Sequence, residues 1–387
     1  MSEVAALPDR VVAPLGHADC EQRQVAAKRL GAERRRLFLV SATLSVAAPI
    51  VPYLTGAWEA AWYALAGTPL PFAVRTPLFL LGCHAALALV SLPLAYYGGF
   101  TLSHAFGLSR QTRPAWLADW AKATALGVLL GTAVGGLFLL CVVALGDGWW
   151  WAFGGFGSLA SIVIVFLTPY VLVPLFFTMR PLADQGTVDR VRALTRRAGA
   201  DVRDVCSLDF SRRTAEANAA VIGMGRSRRV VLADTLLAEF SADEVDAVVA
   251  HEIGHHVHRD VLRLLAGSFA VLWAGLALAA LLARPALPLL SLPSLGYVPG
   301  YPMLYGVAEL FALAVMPLAN WWSRRLESAA DRFALGLTAN PTAFAGAMRR
   351  LACQNLVELR PPRWSEALLG SHPALHRRIA LAESWAS

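Results

Sequence analysis

Charged side chains are scarce in this sequence. Only 16% of its 387 residues are Asp, Glu, Lys or Arg, against about 25% in an ordinary soluble domain. The 57% that are hydrophobic cannot be hidden inside a soluble protein of this length. Composition therefore excludes a soluble enzyme, a disordered chain and a disulfide-stapled secreted domain. Lysine is nearly missing, since Lys28 and Lys122 are the only two. The basic side is thus almost all arginine, which together with abundant Ala, Leu and Gly points to a high-GC bacterial source. The net charge of +7 comes from arginines that flank apolar segments, which speaks for membrane orientation rather than nucleic acid. The five cysteines, Cys20, Cys83, Cys141, Cys206 and Cys353, contain no C-x-x-C pair. Isolated reduced thiols are expected, not a disulfide framework or a zinc knuckle. Internal repeats and low-complexity segments are also lacking.

Long apolar runs, by contrast, are plentiful. Six can cross a hydrocarbon layer of about 30 Å: Leu37–Ala57, Pro77–Tyr97, Ala123–Leu145, Phe153–Phe177, Leu264–Ala283 and Tyr301–Trp322. The preceding polar tail, 1–36, is too long for the n-region of a signal peptide, so the first run reads as an anchor. The tail, the 101–122 loop, the 180–263 section and the 323–387 tail are basic; the loops 58–76, 146–152 and 284–300 hold few positive charges. Six spans put all four basic segments on one side, which is then cytoplasmic. A bacterial inner membrane is the expected location. The division is a tail (1–36), four spans (37–179), a catalytic lobe (180–263), a two-span hairpin (264–322) and a second cytoplasmic tail (323–387).

The lobe has an α+β pattern. Residues 187–200 read as a helix with Val188, Val191 and Leu194 on one face, and β-like runs follow at 205–210, 219–222 and 230–232. The last two are joined by Gly223-Met224-Gly225. Ser241 and Glu244 then form a capping box that opens a long helix. The expected fold class is mainly α, a multi-span helical membrane protein carrying a small α+β lobe.

That long helix contains His251-Glu252-Ile253-Gly254-His255. Residues four apart lie one turn apart on one face, so both imidazoles can reach a single zinc ion. Glu252 lies beside them as a general base for the attacking water. One continuous helix cannot wrap a third histidine around a tetrahedral ion, so His256 and His258 are expected to be solvated or to support the site indirectly. Glu327 is the better third ligand. It shares a helix face with Asp331 in Ser323-Arg324-Arg325-Leu326-Glu327-Ser328-Ala329-Ala330-Asp331, and a hairpin of the last two spans returns it to the bilayer side of the histidines. Asp331 would then orient a ligand histidine.

Together with these motifs, His104 to Thr112, Pro174-Leu175-Phe176-Phe177, Asp209 to Thr214, Asn218-Ala219, Gly225 to Leu232, Asn320 with Ser323-Arg324, and Ser371-His372-Pro373 followed by Arg378-Ile379 form an ordered series from about Tyr97 onward. The sequence resembles the integral-membrane zinc metalloproteases related to the type I CAAX prenyl protease. The resemblance implies one zinc ion held by His251, His255 and Glu327, with Glu252 as base. It also implies His372 as donor to the oxyanion, and the Asn218 to Ile222 strand, with small Ala219, as an edge on which substrate adds. The implied partner is a peptide or protein substrate, in some cases lipidated, within membrane lipid; no nucleic acid is expected. The implied reaction is C-terminal processing of CAAX-type proteins. A same-chemistry alternative is membrane-protein quality control of the HtpX type. A non-catalytic receptor or lipid-handling protein would carry a broken ligand or base set, and here all four residues are present. Eukaryotic relatives have seven spans around an intramembrane chamber, whereas this sequence offers six. Within two of those spans, Glu309 and His84 would face such a chamber or form one buried pair.

Overall fold

The computed structural model describes residues 17–223 and 228–385. The first sixteen residues of the expected tail and most of the Gly223-Met224-Gly225 turn lie outside them. Among the described residues, five helical segments are long and apolar enough to cross a membrane. The first, α1 (His17–Leu54), starts well before the expected span. Next come α2 (Ala57–Ala66) and α3 (Phe72–Tyr96), which continues through a π turn into α4 (Ser103–Ala105). One segment, Arg113–Phe176, has 64 residues and would measure about 96 Å if straight. It is a hairpin instead. α5 (Arg113–Leu145) ends at Gly146, whose φ of 51° suits glycine, and α6 (Trp149–Leu167) folds back so that Phe138 packs edge-on against Trp149 and Phe153. A π turn leads into α7 (Val173–Phe176). Counting that hairpin as two helices gives six candidate spans.

Apolar side chains such as Leu129, Leu140, Val143 and Leu281 stay exposed on these helices, as lipid-facing positions must. His84 and Glu309 are not partners. His84 Nε2 lies 3.3 Å from the Tyr301 hydroxyl, and Glu309 lies beside Tyr305. His84 and Tyr305, with Ser41, Ser45, Ser91 and Thr124, line a cavity of about 490 Å³ among the spans.

The lobe is built on four strands: β1 (Met179–Pro181), β2 (Asp204–Leu208), β3 (Ala219–Ile222) and β4 (Arg229–Ala233), in the order β1-β2-β4-β3. β1 and β3 run antiparallel to their neighbours, and β2 runs parallel to β4. β3 is therefore an edge strand. α8 (Gln185–Arg197), α9 (Asp234–Glu239) and α10 (Ala242–Val257) pack on the sheet, and the expected capping box at Ser241 and Glu244 opens α10. α11 (Asp260–Leu289) and α12 (Tyr301–Thr338) form the final membrane hairpin. α12 does not stop at the bilayer. Its last turns enter the lobe's core, where Ala334 and Leu335 meet Val249 and Ile253 of α10 and Phe344 and Met348 of α13 (Pro341–Gln354). α14 (Arg363–Leu369) and α15 (Leu375–Trp385) close the chain.

Two expectations need correction. Within the expected tail, residues 17–36 are helical and continuous with the first span. Their polarity resembles a tail, yet Ala27 and Leu30 are buried against Leu102, Leu108 and Leu356. Gln24 also bridges the Val357 carbonyl and the Leu359 N–H. The thiols are not all isolated either, because Cys20 at the start of this arm is disulfide-bonded to Cys353 of α13. A separation of 333 residues leaves no local spacing to read. Cys83, Cys141 and Cys206 are free and buried.

Candidate metal centre

α10 and α12 cross so closely that a Cβ on Gly254 would lie 3.2 Å from the Ala330 Cα. This approach brings His251, His255 and Glu327 together, with ligand atoms all within 4.8 Å of one another. His251 Nε2 stands 3.2 Å from Glu327 Oε2. His255 Nε2 stands 3.4 Å from Glu327 Oε1 and 3.2 Å from His251 Nε2.

The other ring nitrogens decide what these atoms can do. His251 Nδ1 lies 2.9 Å from Asp331 Oδ1, and His255 Nδ1 lies 2.9 Å from Asp260 Oδ2. The two aspartates are only 1% and 2% exposed. As carboxylates they can only accept, so each Nδ1 carries the proton and each Nε2 presents a lone pair. Two lone pairs and a carboxylate thus converge on one point, and Glu327 Oε2 is buried without a hydrogen-bond partner. Such a donor set repels itself unless a cation lies between its members, and two imidazoles with a carboxylate suit zinc. The charges around the imidazoles favour a cation at this point. Burial alone would lower His255, but the Glu327 and Asp260 carboxylates outweigh it and push the group up to about 9. His251 is raised likewise, with Asp331 and Glu327 overcoming burial. Surroundings that favour a proton there also favour a metal cation.

The remaining expected site residues surround an adjoining cavity of about 750 Å³, lined by Asn218, Ala219, His251, Glu252 and His372. Burial pushes the Glu252 carboxyl up against the opposing pull of His251 and His255, which makes it a stronger base than a solvated glutamate. His372 Nε2 lies 3.3 Å from Glu327 Oε1, and its Nδ1 lies 2.9 Å from the Ser371 hydroxyl. If that hydroxyl donates, Nε2 keeps its proton and can donate in turn.

The profile of peptidase family M48 matches residues 182–386. The chain belongs to peptidase family M48. A second profile, the CAAX prenyl protease N-terminal region with five membrane helices, matches residues 16–178. The Bacillus subtilis protein called "Uncharacterized metalloprotease YhfN" is 29% identical over 308 residues, which are 76% of this chain and 70% of that protein. CAAX prenyl protease 1 of Saccharomyces cerevisiae is 31% identical over 194 residues, 50% of this chain and 43% of the yeast protein. Among solved structures, S. mikatae Ste24p superimposes with a TM-score of 0.82 at 23% identity, covering 94% of this chain and 89% of that one. That likeness is one of fold. This M48 peptidase is accordingly a membrane-embedded metalloprotease that hydrolyses peptide bonds. Family members depend on zinc, and the His251, His255 and Glu327 cluster could hold it.

Two contributors to the M48 site were not foreseen. Asp260 reaches His255 because Arg259 takes a left-handed conformation (φ 56°) between α10 and α11, which turns the chain back on itself. Arg378 grips both Asp331 oxygens, with Nε at 2.9 Å and Nη2 at 2.5 Å. An acidic residue just past the motif helix was the available signal for Asp260; Arg378 gave none beyond its place after His372-Pro373. His256 is half-buried, and its Nε2 donates to the Val221 carbonyl at 2.8 Å. His258 packs edge-on against Phe333. Asp260→Ala should weaken metal affinity about 10- to 100-fold by freeing the His255 ring. Zinc titration of the purified variant against a competing chelator checks this, and unchanged affinity would discount the aspartate.

Proposed function

We propose that this chain is a zinc endopeptidase that processes lipidated proteins near their C-termini at the cytoplasmic face of a bacterial inner membrane. One observation carries the metal assignment: two Nε2 lone pairs and an unpartnered carboxylate oxygen converge while both Nδ1 atoms are held by buried aspartates. His251, His255 and Glu327 would hold zinc, which when bound acidifies water and polarises a carbonyl. Asp331 and Asp260 orient the two histidines. Glu252 takes the proton of the attacking water and returns it to the leaving amine. His372 Nε2–H donates to the oxyanion, and β3 beside Asn218 and Ala219 pairs with the substrate backbone. Basic segments on a single side of the six crossings support the cytoplasmic orientation.

The names of the relatives, CAAX prenyl protease 1 in yeast and CAAX prenyl protease 1 homolog in rice, favour a prenylated substrate. The alternative is turnover of damaged membrane proteins by the same chemistry. Purified protein offered a prenylated CAAX-box peptide and an unfolded membrane protein separates the two. Cleavage of the peptide supports C-terminal processing; cleavage of the unfolded protein alone overturns it.

A further inference from the structure

The open edge of β3 is shorter than its sequence. Ala233 donates its N–H to the Asn218 carbonyl at 2.9 Å, and β3 pairs with β4 in antiparallel register, Ala220 opposite Val231 and Ile222 opposite Arg229. In an antiparallel ladder alternate residues turn their backbone groups to the same side. Residues 218, 220 and 222 therefore face β4, while Ala219 and Val221 face the open edge. Each of these two brings one N–H and one carbonyl. The Ala219 N–H is taken by Asn218 Oδ1 at 2.8 Å, and the Val221 carbonyl is taken by His256 Nε2 at 2.8 Å. A carbonyl only accepts, so this nitrogen of His256 carries the proton. What is left for a substrate is the Ala219 carbonyl and the Val221 N–H.

We propose that His256 is a positioning residue that closes the far end of the β3 edge and limits a substrate peptide to two backbone hydrogen bonds with this strand. The inference rests on the strand-addition reading above. A peptide running antiparallel to β3 accepts the Val221 N–H with one residue's carbonyl. Two residues further toward its C-terminus it donates an N–H to the Ala219 carbonyl. The N–H of the residue opposite Val221 has to share that carbonyl with His256, whose Nε2 already stands 2.8 Å from the oxygen and competes for it. His256 thus sets the register, since a peptide shifted along the edge meets an occupied group. The same contact joins the motif helix to the strand, and so fixes the height of the strand beside Glu252.

The test is an amide-to-ester scan, which removes one backbone N–H at a time. The parent peptide is the segment around the bond that the full-length wild-type protein cuts in the comparison above, and the scissile amide is left intact. In the wild type, one ester position is expected to raise KM about three- to tenfold, the effect of one lost hydrogen bond. In His256→Ala the Val221 carbonyl is freed, and a second sensitive amide should emerge two residues toward the peptide's N-terminus. His256→Gln, which keeps an N–H donor, should retain the wild-type pattern. Zinc content equal to wild type in both variants shows that the metal centre is intact. The same single sensitive amide in His256→Ala, or two in the wild type, overturns the role of His256 and leaves strand addition standing. No sensitive amide in the wild type overturns strand addition and this inference together.

Discussion

Glu327→Ala is expected to yield a chain that purifies without its stoichiometric zinc and cleaves substrate at least about 1000-fold more slowly. Removing a residue that merely orients a ligand typically costs 10- to 100-fold in metal affinity, and removing a ligand itself costs more. In this site the loss is compounded. Without the carboxylate, His251 Nε2 and His255 Nε2 still face each other at 3.2 Å, and two neutral imidazoles alone hold the ion weakly. Because the ion binds only the folded arrangement, thermal stability in excess zinc should also become insensitive to added metal. Metal analysis of the native chain and the variant, purified in parallel, checks the first point. Stoichiometric zinc in Glu327→Ala would remove this residue from the site.

Glu252→Ala should behave in the opposite way, keeping its metal and losing turnover. Glu252 lines the cavity beside His251 but is not among the three converging ligand atoms, so zinc content should match the native chain. A positioned general base contributes about 100- to 10,000-fold, and a drop in kcat of that order is expected with KM little altered. Full activity would sink the assignment of Glu252 as base. The two variants separate binding from chemistry: one loses activity with its metal, the other in spite of it.

Much of this site could be read from sequence because the chemistry follows helical spacing. His251 with His255, and Glu327 with Asp331, are i and i+4 pairs on two helices. A two-span hairpin was enough to return the second pair to the first. The parts that escaped depend on geometry that spacing does not carry. Asp260 reaches His255 only through the left-handed turn at Arg259. His256 does lie off the ligand face, as its position one residue past His255 requires. On that other face it meets an edge strand. The 17–36 arm carries the charge that a tail would show, while its contacts come from Leu102, Leu108 and Leu356, remote in sequence. The Cys20–Cys353 bond is the extreme case, joining the first described helix to the catalytic lobe with no intervening pattern.

The unbroken course of α12 works as a ruler. Trp321 and Trp322 mark the end of its apolar stretch, as interfacial aromatic residues commonly do, and Glu327 follows Trp322 by five residues. At 1.5 Å per residue that is about 7.5 Å of rigid helix. Glu327 is thereby held at a fixed distance from the paired tryptophans, so whatever sets their level sets that of the candidate metal centre as well. On the proposed reading, a bond in a segment tethered to the membrane surface would arrive at the right level without being searched for in three dimensions, and one far out on a soluble loop would not.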